Sequence, residues 1–499
     1  MKQTMLIGLL TAAFARLVVA QGTPVPKITG PLPVTAASYP FLAADHSMVP
    51  FDLSKYGYVE QEFIVSGNAS VYDWAADGSL NVKTEKAPYG ARILVRRPAN
   101  AAKFSGAVVV EPLGAARRFD WAIMYGYLNE HMMERGDAWV GITMPAASDG
   151  LKKFNPTRYA AVSFANPNPG ETCSGAKGGP APQGAKGAPS NMEEGLRWDM
   201  MSQVGALLKS NAAGSPLAGF RTEALYMTSQ FADVATYLDA IHSHARLANG
   251  KPVYDGYLLR NPGAPSRLSN CGAAPARNDP RSIVAKVDVP VIEVSAQGEV
   301  VASQSQRRPD SDEPGNRFRR YEIAGASHID HYAYDRGFPT FADQTATGGG
   351  VQGTPDWPFN APCDPAIPLS TDPRLRYAYD ATLVALDQWA RKGTPAPRAS
   401  VIEVKDGAVV LDAAGNGVGG VRSPWVDVPA ATYFTSSPGP GTCAELGHTV
   451  AFEKSRLESL YGTDKNYQSK FTQSVDQLVK AGWFTESDAK KIKAAATGK

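Results

Sequence analysis

The sequence predicts an α/β fold, a mostly parallel sheet with helices on both faces. Strand-like and helix-like patterns alternate from about residue 60 to 335, as expected of a sheet built from crossover units. "GAVVVEPLG" (106–114) is a short continuous apolar run, the composition of a strand covered on both faces. Two later runs, "VPVIEVSAQGE" (289–299) and "RFRRYEIAGASH" (317–328), close the series as strands.

Taken in order, "EFIVSG" (62–67) and "ARILVRRP" (91–98) read as early strands. "WAIMYGYLNEHMMERG" (121–136) has helical spacing and stops at Gly136, and "AWVGITMP" (138–145) is the next strand. The Gly/Pro-rich stretch 148–191 contains "NPNPGETCSGAKGGPAPQGAKGAPSN". It is too long for a simple connector and reads as a surface insertion near the functional site. "MEEGLRWDMMSQVGALLKS" (192–210) is helical, "ALYMTS" (224–229) is a strand, and a helix follows from Gln230. Beyond the alternating region come a helix over 373–393 and a β-hairpin over 401–418 with "DG" at its turn. The tail from about 449 is helical, with Thr485 and Asp488 in capping-box spacing. No internal repeat is visible.

The 499 residues suffice for one large domain with additions. The division expected is a leader over 1–20, a main domain over 21–440, and a helical extension over 441–499 packed on that domain. In the leader, Lys2 supplies the positive region, Met5 to Phe14 the apolar core, and Val18 and Ala20 the small residues before cleavage at Gln21. Arg16 interrupts a run already short for a bilayer. A secreted protein, extracellular or periplasmic, is expected, with no membrane span after cleavage. The formal net charge of +2 gives no reason to expect a nucleic-acid partner. Export permits disulfides among Cys173, Cys271, Cys363 and Cys443, whose pairing the spacing leaves open. Neither Cys nor His spacing suggests a metal site, and no cofactor is expected.

In a parallel sheet, reactive groups gather beyond the carboxyl ends of the strands. Three such ends carry suitable side chains, in chain order Ser229, Glu299 and His328. Nucleophile, acid, histidine is the order of α/β-hydrolases. Histidine can take the serine proton near neutral pH, and a carboxylate fixes its tautomer. Asp310 and Asp312 in "RRPDSDEPG" compete with Glu299 but sit in a charged, turn-like run. Ser327 and His331 read as structural or exposed. Ser229 lies in "MTSQF", where a nucleophile elbow would have glycines in place of Met227 and Phe231. Thr228 is the alternative nucleophile, disfavoured because its β-branch makes a positive φ costly. An oxyanion hole is expected from the N–H of Gln230 and one near Leu113 or Gly114. His242, His244, Trp198 and Asp199 read as helix packing, and Lys490, Lys491 and Lys493 as a solvated face. "GNGVGG" (415–420) precedes no helix, so it does not bind phosphate.

The chain resembles a family of large, mostly secreted α/β hydrolase domain proteins of bacteria and fungi. The resemblance rests on "PKITGPLPVTAASYPF" (26–41), "YGARILVRRP" (89–98), "GDAWVGIT" (136–143) and "GLRWDMMSQVGALL" (195–208). It continues through "RRPDSDEPGNRFRRYEIAGASH" (307–328), "GGVRSPWVDVP" (419–429) and "LVKAGWFTESDAKKIKA" (478–494). It implies an α/β-hydrolase fold and hydrolysis of a small-molecule carboxylic ester. The family's G-x-S-Q motif falls on Met227-Thr228-Ser229-Gln230, and its A-G-x-x-H motif on Ala324 to His328. Its acid falls on Glu299, where Asp is expected in relatives. A one-residue shift in register would put Thr228 at the serine position. The alternative is a catalytically altered relative, a binding protein or a non-hydrolytic enzyme using the same cleft. Oligomeric state is not legible.

Overall fold

The computed structural model describes residues 22–171, 191–348 and 363–496, apart from 211, 213, 231, 262, 277, 368 and 370–373. The leader, Cys173 and the middle of the 148–191 stretch therefore lie outside the described residues. Among those described, nine strands form one sheet ordered β1-β2-β3-β5-β4-β6-β7-β8-β9. They are β1 (Lys27–Thr29), β2 (Tyr58–Trp74), β3 (Leu80–Pro98), β4 (Ala107–Pro112), β5 (Ala138–Ile142), β6 (Ala224–Ser229), β7 (Gly256–Arg260), β8 (Val291–Ala296) and β9 (Phe318–Ile323). From β5 to β9 along the sheet all neighbours are parallel, while β1, β2 and β3 add an antiparallel edge. The expected mostly parallel α/β sheet is what the chain forms.

Parallel neighbours cannot be joined by hairpins, so helices carry the crossovers. α1 (Ile123–Arg135) links β4 to β5, α2 (Arg197–Lys209) precedes β6, and α3 (Ala232–Ala240) follows it. α4 (His331–Gly337) and α5 (Arg374–Lys392) come after β9, and α6 (Asp464–Lys480) and α7 (Glu486–Ala496) end the chain. Glu111, at the end of β4, accepts from the N–H groups of Met124 and Tyr125 at the start of α1, both at 2.9 Å, and from Trp139 Nε1 at 3.0 Å. Burial pushes its pKa up to about 7 against these hydrogen bonds. The carboxyl thus satisfies amide groups that α1 itself leaves unpaired.

β4, β6, β7, β8 and β9 are buried at every residue. β9 nevertheless reads "FRRYEI". Its charges are matched inside the core: Arg320 Nη1 meets Glu293 at 2.7 Å, Arg320 Nε meets Glu322 at 3.0 Å, and Arg307 meets Glu322 at 2.7 Å. Arg319 lies over the Trp389 ring, 4.6 Å from its centroid. Unpaired, any of these charges would oppose the fold by several kcal/mol, on the order of 3–5.

Two strands outrun their sequence signal. β2 and β3 were expected over 62–67 and 91–98 but pair from Tyr58↔Pro98 to Trp74↔Leu80. Their outer halves bury isolated residues, Ala69, Val71, Ala87 and Tyr89, among polar ones as in "LNVKTEKAPYG" (80–90), so no continuous apolar run marks them. β7, "GYLLR", is too short for its apolar residues to stand out as a strand. The 401–418 hairpin forms as Val404–Lys405 against Ala408–Val409. Asp406 (φ 51°) and Gly407 (φ 77°) supply the two left-handed turn residues such a connection needs.

The C-terminal helices dock through Phe471, Val475, Phe484, Ala489 and Ile492, which pack with Tyr377 of α5. Thr485 caps α7, its Oγ1 accepting from Asp488 N at 3.0 Å and donating to Asp488 Oδ2 at 2.6 Å. Cys363 and Cys443 form a disulfide across a sequence separation of 80. Closing a loop of this length stabilises by about 4 kcal/mol on the chain-entropy account. The double variant Cys363→Ser/Cys443→Ser is therefore expected to unfold in urea with a loss of that order. An unchanged midpoint would mean that other contacts already close the loop.

Candidate active site

The carboxyl edge of the parallel sheet sets four strand ends side by side, those of β6, β7, β8 and β9. β6 ends at Ser229, whose register partner on β7 is Leu259. The next residue of β7 is Arg260, a side chain buried to 1% exposure. Its Nη2 donates to the carbonyl oxygen of His328 and lies 3.6 Å from Glu299 Oε1. Burial alone would lower the pKa of this guanidinium, but Tyr127 and Glu299 carry it above the ordinary value. The Tyr127 ring centroid stands 5.7 Å from its carbon.

Glu299 lies just beyond β8 and His328 just beyond β9. Glu299 Oε1 meets His328 Nδ1 at 2.5 Å, and Glu299 Oε2 accepts from Ala296 N at 2.7 Å. Burial opposes a charge on Glu299, yet Arg260 and the His328 hydrogen bond hold its carboxyl below the ordinary value. The acid stays ionised although its side chain is only 4% exposed. The imidazole is 24% exposed, so the ring remains reachable. With Nδ1 on the carboxylate, Nε2 is the nitrogen left for a reacting group.

The histidine loop is built from small residues because its backbone is tied on several sides. Gly298 N donates to Ala326 O at 3.1 Å, and Ala324 N to Val421 O at 3.0 Å. Gly325, at φ 74°, donates to Gln297 Oε1 at 2.8 Å. Ile329 N donates to Glu445 O at 2.9 Å, two residues from the disulfide at Cys443. A second tie joins β6 to this region, since Gln230 Nε2 donates to Tyr334 OH on α4 at 3.0 Å. Ser229, Arg260, Glu299 and His328 thus belong to one edge of the sheet.

At Ser229 the structure departs from the elbow expectation. Ser229 is the last residue of β6, and α3 starts at Ala232. Neither Thr228 nor Ser229 has a positive φ, the conformation that exposes an elbow nucleophile. Met227 is fully buried between Val110 of β4 and Tyr257 of β7, so the position a glycine would open is filled. Phe231 lies outside the described residues. Ser229 is 3% exposed, and Thr228, 1% exposed, has a hydroxyl with no hydrogen-bond partner among the described residues.

The loop after β4 also differs from expectation. Gly114 N donates to Trp121 O at 2.9 Å, and Leu113 N to Ile142 O at 2.9 Å. Both amides expected near an oxyanion are engaged in backbone bridges. A Cβ at Gly114 would fall 1.6 Å from Trp121 Nε1, so this glycine serves the close approach of that indole. Ala115, next in the loop, has no acceptor for its N–H among the described residues.

The remaining candidates fall into structural roles. Asp310 accepts from Arg320 N, and Asp312 pairs with Arg319 and Arg398. His331 pairs with Asp335 at 2.5 Å, and Ser327 Oγ donates to Ile329 O at 2.8 Å. His242 sits between Tyr257 and Asp288, while Asp199 receives Ser70 N and Tyr72 OH. Trp198 Nε1 donates to Leu268 O at 2.8 Å. Arg260 escaped the sequence reading, and its only signal was a lone arginine closing the short run "GYLLR".

A family model described as "Alpha/beta hydrolase domain" matches residues 28–494. Among solved structures the chain is similar to esterase Est22, at 11% identity over 58% of this chain and 79% of that one, with a TM-score of 0.30. It is similar to a fungal esterase from Rhizomucor miehei at 12% identity, 57% and 82% coverage and a TM-score of 0.28. It is also similar to an alpha-beta serine hydrolase homologue from Coxiella burnetii at 10% identity, 52% and 91% coverage and a TM-score of 0.25. Likenesses this distant add nothing to the argument about the site. No curated protein matches.

Glu299→Gln removes the negative partner of a buried guanidinium. A loss of about 3 kcal/mol in folding stability is expected. Because the folded-state pKa of Glu299 is depressed, its contribution is present above the unfolded carboxyl value and lost as pH falls through the folded one. Wild type should therefore lose stability more steeply than Glu299→Gln on acidification below about pH 4.5. Parallel curves would show that Glu299 is not the charged partner of Arg260.

Proposed function

The chain belongs to the alpha/beta hydrolase domain family, and on that premise we propose that it is a secreted serine hydrolase of carboxylic esters. The reading rests on the 2.5 Å contact between an ionised, buried Glu299 and a reachable His328. That pair stands on the same sheet edge as Ser229. In this mechanism His328 Nε2 takes the Ser229 hydroxyl proton as Oγ attacks the ester carbonyl. Glu299 holds the Nδ1–H tautomer and stabilises the imidazolium. The tetrahedral intermediate collapses with release of the alcohol, which receives the proton from His328. Water, deprotonated by the same imidazole, then attacks the acyl carbonyl, and the acid leaves as Ser229 Oγ takes the proton from His328. The developing oxyanion is assigned to the N–H of Gln230 and, with Gly114 engaged elsewhere, to that of Ala115.

Secretion is part of the reading. It is supported by the leader pattern and by the disulfide. No helix among the described residues is long and apolar enough to cross a membrane.

A second reading has one observation in its favour. Ser229 is nearly buried and lacks the positive φ of an elbow nucleophile, as a relative that binds ligand without hydrolysis would allow. A fluorophosphonate probe separates the two. Hydrolysis predicts an adduct on Ser229 by mass spectrometry, and ester turnover reduced on the order of 10³-fold or more in Ser229→Ala. A folded protein with no adduct, and ligand-induced stabilisation unchanged in Ser229→Ala, would establish the binding role instead.

A further inference from the structure

Away from the sheet edge, three helices bring together a buried group of possible ligand atoms. His131 of α1, Asp380 of α5 and Asp488 of α7 each offer one atom, and these atoms lie within 4.8 Å of one another. The three residues are 5%, 0% and 1% exposed. His131 Nε2 and both Asp380 oxygens have no hydrogen-bond partner among the described residues. Buried carboxylate oxygens in this condition oppose folding strongly unless something positive is shared among them.

The neighbouring cations are already committed. Arg376 pairs with Glu130 through Nη2, and Lys491 pairs with Glu134 at 2.6 Å and Glu130 at 3.5 Å. Arg135 lies 3.3 Å from Asp137 and 3.1 Å from Asp387. Arg376 Nε approaches Asp380 only to 3.9 Å. Two basic groups thus serve four carboxyl groups, Glu130, Glu134, Asp380 and Asp488, and Asp380 receives only the 3.9 Å approach of Arg376.

We infer that His131, Asp380 and Asp488 bind one divalent transition-metal ion, zinc by its donor set, and that this ion fastens α7 to α1 and α5. One imidazole with two carboxylates suits zinc, with water completing a tetrahedron, whereas calcium and magnesium favour all-oxygen sets. Ligand atoms about 2.1 Å from zinc stand about 3.4 Å apart in a tetrahedron. The cluster reaches that spacing from within 4.8 Å by a contraction of at most about 1.4 Å, within the range of side-chain torsion. Two ligands come from the body of the hydrolase domain and one from the last helix of the chain. Metal binding and docking of α7 are therefore one equilibrium. The site is independent of the chemistry proposed for Ser229.

The test uses the full mature protein, loaded with zinc and dialysed against metal-free buffer. Elemental analysis is expected to find about one zinc per chain. Chelation should lower the melting midpoint and speed proteolysis within 464–496, and zinc but not magnesium should reverse both. Asp380→Asn should retain no zinc and lose the zinc-dependent rise. A wild type that holds no zinc and melts the same with and without it would overturn the inference, leaving the carboxyls neutralised by protons or water. An Asp380→Asn variant that keeps its zinc would overturn it as well, since the metal would then sit elsewhere. Should that variant not fold, the cobalt(II)-loaded wild type decides. Visible bands of a four-coordinate nitrogen–oxygen site support the inference, and their absence overturns it.

Discussion

The candidate active site depends on one buried guanidinium. Arg260 reaches the acid beyond β8 and the backbone beyond β9. A charge with this burial survives only with a counter-charge and directed acceptors. Those partners are the residues on which the proposed proton relay depends. Removing Glu299 from the contact would leave Arg260 unpaired, and moving the His328 loop would cost the guanidinium an acceptor. The energetic requirement of the core and the geometric requirement of the site are therefore met by the same contacts. The arrangement also explains why Glu299 stays ionised where burial alone would protonate it. Only the ionised form accepts a strong hydrogen bond from the imidazole Nδ1.

What the sequence made legible follows from how much of each signal is local. "AVVVEP", "ALYMTS" and "VIEVSA" are apolar because both faces of the sheet are covered, so burial wrote them into composition. The cap Thr485–Asp488 and the turn Asp406–Gly407 are local conformational rules and were equally readable. Glu299 and His328 could be placed at adjoining strand ends by chain order, without any knowledge of the distance between them. What was hidden is non-local. The outer halves of β2 and β3 bury only isolated residues, Val71 and Tyr89 among them, so no continuous apolar run announces them. β7 is five residues long, and its terminal arginine reads as the end of a run rather than the centre of a network. Gly114 looked like a flexible donor because nothing local announces the Trp121 indole against it.

The same distinction separates the two buried clusters. The ligands of the proposed metal site lie in three widely separated segments, so no ligand spacing exists to find. Each is an ordinary helix residue in its own stretch: His131 in "LNEHMMERG", Asp380 in "YAYDATL", Asp488 in "TESDAKK". Asp488 even has a sufficient local explanation as the capping partner of Thr485, which conceals its second environment. Only the docking of α7 on α1 and α5 assembles the three.

Ser229 brings these threads to one point. In an elbow, backbone strain lifts the nucleophile out of the strand and toward the histidine, and glycines at either side make room for it. Here Met227 fills the strand-side space with a packed side chain, and Ser229 keeps ordinary backbone angles. The chain thus stores no positive-φ strain at this serine. Beside it, Gln230 Nε2 donates to Tyr334 OH. That bond spans β6 and α4, the helix that follows His328. For the nucleophile proposed here, the reach that glycines ordinarily supply has to come from side-chain rearrangement rather than from the backbone.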